Sequence, residues 1–130
     1  MIVDTNVLIR LMQGNERAMQ RVRELERNHV PLTLSSMTLF ELYHSIERVS
    51  NPDQRRRQIE MVLDSRPVYP ADDAVMKKAG RLDGRLTDDG RQIGIGDSII
   101  AATALVHEES VLTENAEHFG RIEELDVESY

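Results

Sequence analysis

Apolar residues come in short bursts separated by longer amphipathic stretches, the rhythm of strands alternating with helices. Met1-Ile2-Val3 is closed at once by Asp4-Thr5-Asn6, a polar trio suited to cap a helix from Val7 to about Met12, which Gly14 breaks. Asn15 to Asn28 predicts an exposed helix with a thin apolar stripe of Met19, Val22 and Leu25. Val30-Pro31-Leu32-Thr33-Leu34 alternates and predicts a strand, with Pro31 near its start where a missing N–H does least harm. Ser35-Ser36 then caps a helix running to about Val49. Its apolar face is Leu39, Leu42, Tyr43, Ile46 and Val49, and Glu41 falls opposite with Met37, His44 and Arg48.

Asn51-Pro52-Asp53 opens a further helix ending near Ser65, and Pro67-Val68-Tyr69-Pro70 has room only for an edge strand. A long polar helix is expected from about Asp72 to Asp88, weakened by Gly80 and Gly84. Residues 90–96 form a glycine-rich loop. Asp97 opens a helix from Ser98 to about Glu108 that is apolar almost all round, as in a helix buried mid-domain. Val111-Leu112-Thr113 and Leu125-Asp126-Val127 supply the last strands. The pattern predicts one α/β domain over residues 1–130, a parallel sheet with helices on both faces.

Composition agrees with that picture. A chain of 130 residues, 40% apolar and 30% charged, suits one compact domain. No run approaches the ~18–20 apolar residues of a membrane span, and the acid at position 4 is unlike a signal peptide. Cysteine is absent, which excludes disulfides, thiolate-bound zinc and thiol nucleophiles. A soluble cytoplasmic protein is expected. The net charge of -7 argues against a polyanionic partner until its distribution is seen. Residues 97–130 hold nine acids and one base, Arg121; residues 1–96 hold fourteen acids and fifteen bases. A polyanion could therefore meet the first three quarters of the chain. Ordinary solvated helix faces are the alternative for each basic residue.

Common catalytic motifs are missing. There is no HExxH helix, no GxxxxGK loop and no GxSxG elbow; Gly94-x-Gly96 lacks the third glycine of a dinucleotide fingerprint. The four histidines show no tight metal-ligand spacing. Three acids stand apart from the charged helix faces: Asp4, Glu41 and Asp97. Ligands of parallel sheets bind outside the carboxyl ends of the strands, where Asp4 lies and where Asp97 and Glu41 can reach. Three meeting oxygen donors would suit Mg²⁺ or Mn²⁺. Each acid also has a plainer use: Asp4 and Asp97 are good N-caps, and Glu41 fits an exposed helix face.

Four blocks carry a resemblance. MIVDTNVLI at 1–9, SSMTLFEL at 35–42, GRQIGIGDSIIAATA at 90–104 and LTENAEHF at 112–119 resemble, in order and spacing, PIN-domain ribonucleases, and among them the VapC-type toxins of toxin–antitoxin pairs. The resemblance implies a three-layer α/β/α fold with a parallel sheet of about five strands. It also implies a Mg²⁺- or Mn²⁺-dependent endoribonuclease, a homodimer, and an antitoxin that occupies the active groove. Asp4, Glu41 and Asp97 match the acidic metal-site positions, Thr5 and Asn6 the residues supporting the first acid, and Thr113 and Asn115 the last block. His118 departs from the pattern, since similar proteins often carry an acid there. Glu117 is adjacent and Asn115 could give a neutral oxygen, so the fourth ligand and any second ion stay open. Arg81, Arg85 and Arg91, leading to Asp97, are candidates for holding the RNA backbone. The alternatives are an inactive partner-binding module of the same fold and, with Asn6 against it, an aspartate phosphatase.

Overall fold

The computed structural model describes residues 1–130. Its five strands are each two residues long: β1 Ile2–Val3, β2 Leu34–Ser35, β3 Val68–Tyr69, β4 Val111–Leu112 and β5 Val127–Glu128. β1 pairs with β4 and β4 with β5, β2 pairs with β3, and an Ile2–Thr33 bridge joins the two groups. Every pairing is parallel, giving the order β3-β2-β1-β4-β5. The connections are helical: α1 Thr5–Met12 and α2 Glu16–Arg27, α3 Ser36–Ile46 and α4 Pro52–Leu63, α5 Asp73–Asp88 and α6 Ile95–Val106, then the single-turn α7 Ala116–Phe119.

Successive strand side chains point to opposite faces, and the core divides accordingly. Ile2 and Val111 pack with α5, α6, Phe119, Ile122 and Leu125. Val3, Leu34 and Leu112 pack with Val7, Leu8, Val22, Leu25, Leu42 and Ile59 from α1 to α4. These are the two outer helical layers of an α/β/α sandwich. In α6 every residue from Ser98 to Ala104 is buried, as its all-round apolar sequence predicts. Its one interior hydroxyl on the last two turns, Thr103, donates to Ile99 O (2.8 Å) and lies 3.0 Å from Ser35 Oγ. Ser35 caps α3 by accepting from Met37 N, so the same hydroxyl group locks α3 against α6.

Several boundaries differ from expectation. α1 begins at Thr5, so Asp4 alone takes the N-cap position. The second strand slides to Leu34–Ser35, with only the Thr33 bridge before it. α3 stops at Ile46, and its buried residues are Thr38 and Leu42. Tyr43, expected on the apolar face, is 46% exposed. Glu41 is half-buried, because the face holding Thr38 packs toward the end of β1, where Thr5 meets both side chains. α6 begins at Ile95, with Gly94 in the N-cap position at φ 101°, so Asp97 sits inside the first turn and does not open the helix. A positive φ of that size suits glycine alone without strain.

Candidate active site

Asp4 follows β1, and a residue at that place normally turns its carboxylate onto the amides of the helix it precedes. Here no capping hydrogen bond forms. Oδ2 instead accepts from Thr113 Oγ1 at 2.7 Å, beyond the end of β4. The adjacency of β1 and β4 makes that contact, which joins residues 109 positions apart. Thr113 Oγ1 also accepts from the amide of Asn115 at 2.8 Å, which sets the turn into α7. Asp4 is 2% exposed. Burial pushes its pKa up to about 7; the Thr113 hydrogen bond opposes the rise, and the charges of Asp97 and Glu41 add to it.

Glu41 is held by Thr5. Thr5 Oγ1 donates to Glu41 Oε1 at 2.8 Å and lies 2.9 Å from Thr38 Oγ1. Burial raises the Glu41 pKa, the Thr5 bond lowers it, and the charge of Asp97 raises it again. Gly96 allows this approach: a Cβ there would stand 3.3 Å from Glu41 Oε2 and 3.4 Å from Met37 Cε. Asp97, one residue on, is raised chiefly by burial, against which the nearby His118 acts. His118 Nδ1 lies 3.5 Å from Asp97 Oδ2, within reach of attraction but too far for a hydrogen bond.

The structure therefore gathers Asp4, Glu41, Asp97, Thr5 and Thr113 at the carboxyl edge of the sheet, and adds Thr38 and His118. Thr38 lies three residues before Glu41 on the same helix face, and that spacing was the available signal for it. Asn6 and Glu41 line a groove of about 360 Å³ with Thr5, Ile9, Met37, Phe40, His44 and Gly96. Asn115 enters through its backbone amide. Glu117 points away, 86% exposed beside Arg121. Arg85 is bound to Glu124 at 2.6 Å, while Arg81 and Arg91 are exposed. Arg121 donates to Gln92 O at 2.9 Å and so ties the turn after α7 to the loop before α6.

No Lys or Arg pairs with Asp4, Glu41 or Asp97. Buried carboxylates without a cation must hold protons or bind one. As they stand, no three acids or histidines close into a ready ligand cage. The donor set still suits a hard divalent ion, which takes one or two carboxylates and keeps several waters.

The PIN domain family profile matches residues 1–125. Ribonuclease VapC10 of Mycobacterium tuberculosis is 31% identical over 124 residues, covering 95% of this chain and 89% of that protein. The tRNA(fMet)-specific endonuclease VapC of Shigella flexneri is 29% identical over 129 residues, covering 99% and 96%. Among solved structures, VapBC2 from Rickettsia felis, bound to a DNA fragment from its promoter, superposes with a TM-score of 0.89 at 22% identity over 99% of this chain and 97% of that one. VapBC-1 from nontypeable Haemophilus influenzae gives 0.82 at 29% identity, covering 98% and 96%. With its fold, its ordered blocks and these relatives in agreement, this chain belongs to the PIN-domain family and is VapC-like.

Proposed function

We propose that this protein is a divalent-metal-dependent endoribonuclease and the toxin of a toxin–antitoxin pair. The observation that carries the reading is the convergence of Asp4, Glu41 and Asp97, from three distant stretches of chain, without any Lys or Arg counter-charge. Asp4 and Asp97, with Glu41 directly or through water, would hold Mg²⁺ or Mn²⁺. Bound there, the ion would supply a low-pKa water and draw charge from the phosphoryl oxygens during in-line attack. Thr113 and Thr5 hold the Asp4 and Glu41 carboxylates in place. The groove beside Glu41 is open along Phe40 and His44, which would give an RNA strand access to Glu41.

The exposed face beside Glu41 would take either an apolar anchor of the antitoxin or the seam of a homodimer, and a crystal structure of the complex separates the two uses. Phe40 is 66% exposed and Ile95 72%, on either side of the Glu41–Gly96 contact. The relatives solved as VapBC complexes support an antitoxin partner. The test is incubation of the purified protein with total RNA, in Mg²⁺ or Mn²⁺ and in chelator. Cleavage that requires the ion and is lost in Asp4→Asn is expected. Antitoxin binding with no cleavage of any RNA would favour the inactive partner-binding module instead.

A further inference from the structure

We propose that His118 supplies a nitrogen donor to this site and turns its preference from Mg²⁺ toward first-row transition ions; the inference rests on the metal site proposed above. α7 is pinned beneath His118 by Phe119, which is fully buried, and by Gly120 N donating to Ala116 O at 2.8 Å. The ring is thus held against Asp97. Its Nδ1 is inaccessible to solvent and has no hydrogen-bond partner. An unsatisfied buried nitrogen facing a carboxylate needs a physical account.

The separation gives one. At 3.5 Å, Nδ1 and Asp97 Oδ2 are too distant to share a proton. Two donors each roughly 2.1 Å from one ion, at about 90–109° to each other, lie about 3.0–3.4 Å apart. Nδ1 and Oδ2 therefore stand close to the spacing of neighbouring ligands on a common ion. Imidazole nitrogen favours the transition ions, whereas Mg²⁺ prefers oxygen and gives up its water reluctantly. Neutral imidazole also brings no negative charge, so the site neutralises less of the ion than a fourth carboxylate would.

Competition calorimetry between Co²⁺ and Mg²⁺ on the purified full-length protein tests this, comparing wild type with His118→Asp and His118→Ala. The informative quantity is the ratio of the Mg²⁺ to the Co²⁺ dissociation constant, since His118→Asp adds a charge that tightens both ions. The ratio should fall by more than threefold, on the order of tenfold, in His118→Asp. The Co²⁺ adduct of wild type should show a paramagnetically shifted imidazole N–H proton that both variants lose. A ratio that changes threefold or less, or a shifted imidazole signal persisting in the variants, overturns the nitrogen-donor role and leaves the metal site standing. Absence of divalent binding in wild type and variants alike overturns the metal site too.

Discussion

Asp4 is subject to opposing forces at the scale of a single residue. Burial favours its neutral form, while the Thr113 hydroxyl favours the ionised one, and burial wins. The folded chain holds this proton to about pH 7 and the unfolded chain only to about 3.8. Between those values the folded state binds the proton more tightly, so the contribution to stability is fully present below about 3.8 and is lost as pH rises through about 7. Glu41 and Asp97 shift in the same direction. In chelator at pH 8, Asp4→Asn should therefore be more stable than wild type, by a few kcal/mol at most, since each tenfold difference in proton affinity is worth about 1.4 kcal/mol. At pH 4 the two should nearly coincide. Thermal melts across pH 4–8 check this, and parallel curves for the two proteins would contradict it.

The three acids were legible in the sequence by residue type and by the blocks that contain them. Their neighbours were less so. The Asp4–Thr113 bond depends on which strands pair, and no local spacing encodes that. The Asp97–His118 approach depends on α7, a single turn too short to show a period.

At the scale of elements, the apolar rhythm located the strands and helices because each must bury one face. The start of α6 moved where Gly94 decided it, and the buried face of α3 moved where the Thr5–Thr38 contact decided it. The loop into α6 makes a prediction of its own. Gly96 leaves room for Glu41, and a side chain there would crowd Oε2 and Met37 Cε, its Cβ standing 3.3 and 3.4 Å from them. Gly96→Val should keep the fold yet lower RNA cleavage by about 10²-fold, the scale of loss when a reacting group is displaced by an ångström. Wild-type cleavage by this variant would show that Glu41 need not be held where it is. The arginines on α5 and the loop after it differ in a similar way. Arg85 is neutralised by Glu124, and Arg91 is exposed and has no acidic partner. Arg91→Ala should weaken RNA binding more than Arg85→Ala in a filter or anisotropy titration at low salt; equal losses would remove the distinction.

Across the whole molecule, the acidity of residues 97–130 and the near balance of residues 1–96 remain as the sequence describes them. The fold mixes the two regions: Arg21 pairs with Glu128, Arg10 with Glu114 and Arg85 with Glu124. Three of the nine C-terminal acids therefore offset arginines contributed earlier in the chain. That compensation is a property of the folded surface and could not be read from charge counts, which show only a negative tail. None of these compensating pairs reaches the three central carboxylates, which have no Lys or Arg partner. The most direct measurement is single-turnover cleavage of one RNA by wild type, Asp4→Asn, Glu41→Gln and Asp97→Asn over a Mn²⁺ titration, with circular dichroism to confirm folding. Cleavage that saturates with the ion in wild type and is lost by at least about 10²-fold in both Asp variants is the predicted result. Undiminished cleavage by folded Asp4→Asn and Asp97→Asn would contradict a shared metal site.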